Sequence, residues 1–299
     1  MKINMIFREK IRTWLIEHPK YNPYRFSSEK AFFPFRFVTN QIRCLPNFII
    51  IGASRCGTTS LYYNLNKHPN VYAGAAKSSS FFDKNFHNGL NYYRSHFPIK
   101  PKLFLNNEGK NIFVTGEAST SYLLNPIVPE KIFKTIPNVK LIAIIRNPID
   151  RAFSHFNYHL TRGESKFSSF EEAIEFEEEL LLNGNYRKNI FENKNLDYRF
   201  YSYLSEGNYY NRFKEYLKYF PLKQILVLNI DDLAKNHEDV FDRTFNFLNL
   251  PKFKILNPKI LNSVKYDKLN LDTRNHLLNY YKPFNKKLSE LLNQNFNWT

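Results

Sequence analysis

The stretch FIIIGASRCGTTSLYYNLNKHPNV, residues 48–71, decides the fold. It opens with an apolar run over 48–51, passes through a turn that contains Gly52 and Gly57, and then enters a helical pattern. A strand that leads through a glycine-bearing turn into a helix N-terminus is a common way of holding phosphate. The ATP-binding form of this turn has Lys after its last Gly, whereas this chain has Thr58 there. The stretch therefore predicts a phosphate-binding loop whose ligand does not need that lysine.

Beyond this stretch, strand and helix patterns alternate along the chain. Further strands are predicted by NVYAG, NIFVTGEAS, NVKLIAIIRNP and QILVLNIDDL, the third of which is apolar enough to be buried on both faces. Helices are predicted at 58–67, at IDRAFSHFNYHLTRG, at the capped acidic segment SSFEEAIEFEEELLL, around 198–219 and at about 272–295. This alternation predicts an α/β fold, with a central parallel sheet flanked by helices in a single P-loop-like domain.

The N-terminal segment differs in character from the rest. Residues 1–46 are basic and are predicted to form an arm, with an amphipathic helix near its start and a proline-broken extended part after it. The helix could lie on a membrane surface, or it could pack on the domain or on another subunit. Residues 47–299 are expected to form the domain.

Composition limits the partners and the compartment. The 299 residues are 43% hydrophobic and carry a formal net charge of +16, which indicates anionic partners: nucleic acid, a membrane surface, an acidic polysaccharide or a polyphosphate cofactor. Part of this charge fits a genome-wide bias towards Lys, Asn, Ile, Phe and Tyr. Two cysteines and the lack of a secretory signal favour a cytoplasmic protein, with the membrane surface as the alternative location.

Two of the predicted strands end in polar turns that open helices. The first turn supplies Arg55 and the hydroxyls that follow it, and the second supplies Arg146, with Ser154 further along its helix. Ligands of open α/β sheets bind at the carboxyl ends of strands. A ligand with two separate phosphate-like groups would therefore meet both turns at once.

These residues resemble a known family. GASRCGTTSLYYNLNKHP is similar to the 5′-phosphosulfate loop of sulfotransferases that use 3′-phosphoadenosine 5′-phosphosulfate (PAPS), and RNPIDRAFSH is similar to their 3′-phosphate motif. FFDKNFHNGLNYYRSHFP, GEASTSYLLNP and FPLKQILVLNIDDL resemble the carbohydrate branch, near the heparan sulfate N- and 3-O-sulfotransferases. The resemblance covers residues 47–299 in order. It implies a PAPS-dependent sulfotransferase that acts on a hydroxyl or amine of a carbohydrate or glycolipid, uses no metal and needs no nucleic acid.

The resemblance also implies the site residues. Arg55 stands where the family usually has Lys, and it would stabilise negative charge on the leaving 5′-phosphate. The residues expected to bind the cofactor are Arg55, Cys56, Gly57, Thr58, Thr59, Ser60, Arg146, Ser154 and Lys265. The product would be 3′-phosphoadenosine 5′-phosphate (PAP).

One position departs from the family pattern. The carbohydrate branch typically has a glutamate that serves as the catalytic base at the position of Ser78, where this chain reads KSSSFFD. A serine without an activating group is a poor base, so the proton of the acceptor needs another destination. Glu117 in GEAS is the alternative carboxylate, and Lys77 is a further candidate near the sulfate.

Two other classes of function stay open from the sequence. A P-loop kinase or NTPase would also use the loop, although only LNIDDL offers a metal-binding Asp at a strand end. A catalytically weak protein that binds PAPS or polyanions would also use the positive charge. Against nucleic acid as its ligand, the positive residues show no aromatic-interleaved motif of an RNA-binding sheet.

Overall fold

A parallel β-sheet forms the centre of the chain. The computed structural model describes residues 33–100, 113–182, 202–261 and 267–298. Every strand pairing is parallel, and the strands lie side by side in the order β2-β3-β1-β4-β5. Their bounds are β1 Phe48–Gly52, β2 Val71–Ala73, β3 Val114–Ala118, β4 Lys140–Ile145 and β5 Ile225–Asn229. The predicted parallel α/β sheet is confirmed.

The two strongest strands lie next to each other at the middle of the sheet. β1 pairs with β4, starting with Phe48 opposite Lys140, and nearly all their side chains are fully buried. Such continuously apolar strands fit only where helices cover both faces of a sheet. Because the strands are parallel and adjacent, the turns that follow β1 and β4 open at the same edge. This is the property of the fold that assembles the site.

Helices cover both faces of the sheet. Their bounds are α1 Phe33–Val38, α2 Thr58–Leu65, α3 Gly89–Ser95, α4 Val128–Thr135, α5 Pro148–Thr161, α6 Phe170–Leu182, α7 Tyr203–Gly207, α8 Tyr209–Leu217, α9 Ile230–Lys235, α10 His237–Leu248 and α11 Leu271–Leu292. Within the described ranges, no helix is both long and apolar enough to cross a membrane.

One predicted helix is wrong. The long helix expected around 198–219 is divided into α7 and α8 by Asn208, whose φ and ψ of −79° and 72° are not helical. The side chain of Asn208 accepts a hydrogen bond from the N–H of Asn211 at 3.3 Å and so begins α8 as a new helix. The residues before 202 lie outside the described part.

The acidic helix α6 has a capped start and carries a buried glutamate that binds the next helix. Ser169 Oγ accepts from the N–H of Glu172 at 3.1 Å, while Glu172 accepts from the N–H of Ser168 at 2.7 Å, which confirms the predicted cap. Glu177 is fully buried and accepts from the N–H groups of Leu204 and Ser205 at 2.6 and 2.9 Å. Glu177 therefore caps α7 instead of facing solvent.

The described part of the N-terminal segment packs on the domain. Arg36 on α1 donates to the carbonyls of Ser95 and Phe97 at 2.6 and 3.1 Å, and Arg43 also donates to Phe97 at 2.9 Å. Residues 1–32, with the predicted amphipathic helix, lie outside the described residues. The division at residue 46 stays a prediction.

Candidate active site

The loop between β1 and α2 has the backbone of an anion-binding turn. Arg55 and Gly57 both have positive φ, at 64° and 83°, and Gly57 immediately precedes the helix. Left-handed residues in such a turn curl the chain so that successive N–H groups form a concave nest for an anion. α2 then begins without a side-chain cap, which leaves its first N–H groups for a ligand. A Cβ at position 57 would also approach Ile230 to 3.2 Å.

Arg55 reaches from this loop to the helix that follows β4. Its Nε donates to Ser154 Oγ at 3.3 Å, and its guanidinium lies over the ring of Tyr158 with 4.6 Å to the centroid. A guanidinium that stacks on a ring keeps its charge and holds a fixed direction. Arg55 therefore links the first of the two turns to α5, the helix that follows the second.

Cys56 points into the core and not into the site. Its side chain is fully buried, with Sγ 3.7 Å from the hydroxyl of Tyr209, and its N–H donates to the carbonyl of Ala53 at 3.3 Å. Burial raises the pKa of the Cys56 thiol to about 12, so the thiol stays protonated. Cys56 was expected to contact a cofactor, but it is not among the residues that line either of the two clefts described below.

A cleft of about 330 Å³, here called the Arg146 cleft, opens between the two turns. Its polar lining contains most of the residues predicted to bind the cofactor: Arg55, Gly57, Thr58, Thr59, Ser60, Arg146 and Ser154. Asn147 caps α5 by accepting from the N–H of Ile149 at 3.0 Å, and this fixes the turn that carries Arg146. The two predicted motifs therefore meet in one cleft.

The third wall of the Arg146 cleft was not predicted from the sequence. It is formed by residues of α9 and of the segment before 262, namely Ile230, Asp231, Leu233, Ala234, Ile260 and Leu261. Leu261 is fixed by Ser60, whose Oγ accepts from its N–H at 2.9 Å. The available signal was LNIDDL, a third strand that ends in a polar turn. Lys265 lies outside the described residues.

A second cleft of about 450 Å³, here called the Lys77 cleft, adjoins the first. The two clefts share Arg55, Thr58 and Thr59. The other residues of the second cleft carry mostly cationic and hydroxyl groups: Ser54, Lys77, Ser78, Ser80, Lys84, Thr120, Ser121, Leu124, His155, Tyr158, His159, Arg162, Glu164 and Glu206. This polar, mainly positive surface suits a hydroxyl-rich or anionic molecule.

Lys77 lies at the junction of the two clefts. Its Nζ donates to Thr59 Oγ1 at 3.0 Å, so the ammonium lies beside the N-terminus of α2. Burial lowers the pKa of Lys77 to about 8, because the charged form loses hydration. An anion bound at the loop would restore favourable interactions to this ammonium.

Glu117 at the end of β3 is enclosed by hydrogen-bond donors. Its Oε2 accepts from Ser79 N, Ser79 Oγ and Ser119 Oγ at 2.9, 2.7 and 2.8 Å. Its Oε1 accepts from the hydroxyls of Tyr93 and Tyr122 at 2.7 and 3.3 Å. Glu117 is 1% exposed and lines neither cleft. The geometry therefore gives it no direct contact with an acceptor.

A buried ion pair is hydrogen-bonded to the loop between β1 and α2. Arg151 is fully buried and pairs with Glu206 at 3.0 Å between NH1 and Oε2, and it also donates to the carbonyl of Tyr203. The other oxygen of Glu206 accepts from the N–H of Ser54 in the loop at 3.0 Å. Burial raises the pKa of Glu206, while the charge of Arg151 acts in the opposite direction. No local pattern in the sequence indicates this pair.

Two histidines, His155 and His159, extend the polar contacts of this ion pair to the lining of the Lys77 cleft. His155 Nδ1 lies 3.4 Å from Glu206 Oε2, and its Nε2 lies 3.1 Å from Nε2 of His159. His159 Nδ1 in turn lies 3.1 Å from Glu164. His155 is thus a buried, hydrogen-bonded residue of the cleft wall.

Comparisons of the sequence and of the structure with known proteins both find sulfotransferases. A family model described as a sulfotransferase domain matches residues 45–289. A crystal structure of a sulfotransferase from Alicyclobacillus acidocaldarius superposes with a TM-score of 0.65 and 25% identity, covering 85% of this chain and 98% of that one.

Curated relatives are similar over most of this chain. The membrane-associated sulfotransferase kil1 of Dictyostelium discoideum is 28% identical over 87% of this chain and 68% of its own length. Human carbohydrate sulfotransferase 15 is 26% identical, and the match covers 86% of this chain but 55% of that protein. Human heparan sulfate glucosamine 3-O-sulfotransferase 5 is 27% identical over 86% of this chain and 75% of its own length.

Proposed function

This chain belongs to the sulfotransferase domain family, and on that premise we propose that it transfers a sulfuryl group from PAPS to a hydroxyl or amine of a carbohydrate. The observation that carries the proposal is the junction of the two clefts at Arg55, Thr58 and Thr59. A donor held in the Arg146 cleft would present its sulfuryl group there to an acceptor held in the Lys77 cleft.

The donor would be held at its two phosphate-bearing ends. The 5′-phosphosulfate would bind the N–H groups and hydroxyls that begin α2, where the helix terminus favours an anion. Arg146 and Ser154 would bind the 3′-phosphate, and Lys265 remains a predicted ligand. The apolar residues Ile230 and Leu261 would contact the nucleoside part. Bound PAPS would supply the activated sulfuryl group, and the chain's own residues position and neutralise it.

The chemistry would be an in-line displacement at sulfur. The acceptor oxygen or nitrogen forms a bond to sulfur while the bond from sulfur to the 5′-phosphate oxygen breaks. Negative charge grows on that leaving oxygen, and fixed cations beside it lower the barrier. Arg55 and Lys77 are the cations at the junction. Because arginine does not give up its proton in proteins, the role of Arg55 would be electrostatic.

The acceptor would be a polar, anionic saccharide. The Lys77 cleft presents Lys84 and Arg162 at its exposed rim and several hydroxyls inside. Relatives with carbohydrate and heparan sulfate acceptors in their names support this class. Glycolipids, contact of the N-terminal arm with a membrane and a cytoplasmic location stay predictions. Nothing in the comparisons favours a kinase.

Ligand-dependent thermal stability tests the donor assignment. PAP should raise the melting temperature more than ATP with Mg²⁺ or heparin does, since PAP alone carries both phosphate groups at the right separation. Transfer of labelled sulfate from PAPS to a panel of glycans and lipids then identifies the acceptor. A protein that is stabilised by ATP with Mg²⁺ and not by PAP would contradict the proposal.

A further inference from the structure

Ser78 lines the Lys77 cleft, and a chain of hydroxyls leads from it to the carboxylate of Glu117. Ser78 Oγ lies 2.8 Å from Ser119 Oγ, and Ser119 Oγ lies 2.8 Å from Glu117 Oε2. Ser78 is exposed in the cleft, whereas Ser119 and Glu117 are buried at 0% and 1% exposure. The chain of hydrogen bonds thus runs from the cleft into the protein.

The direction of these hydrogen bonds follows from the carboxylate. An ionised carboxylate only accepts, so the single hydroxyl proton of Ser119 is donated to Glu117. Ser119 must then accept from Ser78, and Ser78, whose proton is used, must accept from Ser80 at 3.2 Å. Ser119 also accepts from the N–H of Ser80 at 3.2 Å, which fills its second lone pair.

Ser78 therefore faces the cleft with one lone pair and no proton to give. An acceptor hydroxyl or amine that reaches Ser78 Oγ can only donate to it. This is the orientation that deprotonation of the acceptor requires. The serine, although a poor base by itself, is connected to a group that can take up the proton.

The cleft end of this hydroxyl chain would lie beside the sulfuryl group of a donor held as proposed. Lys77, the residue before Ser78, contacts Thr59 of the phosphate loop through its Nζ at 3.0 Å. The carbonyl of Lys77 accepts from the N–H of Ala118 at 2.7 Å, which fixes this segment to the end of β3. An acceptor between Thr59 and Ser78 would meet the sulfuryl group on one side and the hydroxyl chain on the other.

We propose that Ser78, Ser119 and Glu117 form a proton relay that deprotonates the acceptor during sulfuryl transfer. The inference rests on the proposed function. As the bond from the acceptor to sulfur forms and the bond to the 5′-phosphate oxygen breaks, the acceptor proton moves to Ser78 Oγ. The proton of Ser78 moves to Ser119 Oγ, and that of Ser119 moves to Glu117 Oε2. The charge lost from the carboxylate appears on PAP, and the relay resets to water through Ser78 once the products leave.

Ser78 is the member that contacts the acceptor, and the other two act through it. Glu117 thus serves as the final base without entering the cleft. The hydroxyls of Tyr93 and Tyr122 and the groups of Ser79 hold the carboxylate in place. This arrangement explains how a site with serine at the family's glutamate position can still remove a proton.

The relay is tested by replacing Ser119 with alanine, which removes the hydroxyl that links Ser78 to Glu117. In single-turnover transfer from labelled PAPS, Ser119→Ala should lower the rate by roughly 10²-fold, the low end of general-base contributions. Its affinity for PAP should stay within twofold of the wild type. The matched control is Ser95→Ala, which removes another buried serine hydroxyl, bonded to the carbonyl of Tyr92 at 2.6 Å and absent from the lining of both clefts.

A second variant separates the relay from a structural role. Ser78→Glu in the Ser119→Ala background places a carboxylate in the cleft and should restore the rate. A proton inventory in mixtures of H₂O and D₂O should be curved for the wild type, since several protons move. It should become linear in the double variant, where one proton moves.

The outcomes are distinguishable. A Ser119→Ala protein with the wild-type rate, a loss of rate matched by an equal loss of PAP affinity, or a linear inventory in the wild type would overturn the relay. A failure of Ser78→Glu to restore transfer would also count against it. A wild-type protein that binds PAP and transfers no sulfate to any acceptor would refute the proposed function together with the relay.

Discussion

The buried pair of Arg151 and Glu206 should control both the stability of the protein and the shape of the phosphate loop. We expect Glu206→Gln to lower the free energy of unfolding by about 3–5 kcal/mol, because it leaves the charge of a fully buried guanidinium without its carboxylate. The amide keeps the shape of the side chain, so packing changes little. It also keeps an acceptor for the N–H of Ser54, which the native carboxylate binds at 3.0 Å.

Chemical denaturation at neutral pH measures this loss. The matched control is Glu130→Gln, which breaks the exposed pair with Lys134 and should leave the free energy of unfolding nearly unchanged. The double variant Arg151→Met/Glu206→Gln should recover much of the stability, since it removes the buried charge as well. If Glu206→Gln lowers the free energy of unfolding by less than about 1 kcal/mol, the reasoning that Arg151 depends on this carboxylate is refuted.

Further predictions concern the proposed donor site. Arg146→Ala should weaken PAP binding by about 1.5–3 kcal/mol, measured by calorimetry, and should hardly change binding of adenosine 5′-phosphate. Ser154→Ala should act in the same direction but more weakly, and equal losses for both nucleotides would argue against a 3′-phosphate at these residues. Arg55→Ala should lower the single-turnover rate more than PAPS affinity, because the charge that it faces grows in the transition state, while Arg55→Lys should keep much of the rate. In the free protein the pKa of Lys77 is lowered to about 8, so kcat/KM for PAPS should fall as the pH rises through this value and the ammonium loses its proton. Lys77→Met should lack that step, and a wild-type profile that stays flat from pH 7 to 9 would contradict the assignment.

The fold was predictable because its signals are local. The apolar runs of β1 and β4 and the glycine of the loop each act within a few residues, and the chain alternates strands with helices throughout. The family resemblance from the same residues is confirmed by the match over residues 45–289. The error at α7 and α8 has a local cause too, since the periodic pattern runs through Asn208 and a single capping asparagine divides it.

The site was predictable only where one motif carries it. Thr58, Thr59, Ser60, Arg146 and Ser154 lie in the Arg146 cleft because parallel neighbouring strands bring their turns to one edge. Cys56 belongs to the same motif, but its side chain points to the opposite side of the loop, which the motif cannot reveal. Glu117 was predicted as the alternative base, but its five hydrogen bonds hold it outside both clefts, so it could take up a proton only through other groups.

The sequence by itself determined the parallel sheet and the two strand-to-helix turns that are predicted to bind phosphate groups, because each is encoded in one contiguous stretch with its own periodicity and turn chemistry. Only the tertiary structure decided which side chains meet behind them. Ser78 and Ser119 are 41 positions apart, Arg151 and Glu206 are 55 apart, and Ser54 and Glu206 are 152 apart. Hydrogen bonds between such residues leave no period in the sequence, since their geometry arises from the packing of separate strands and helices.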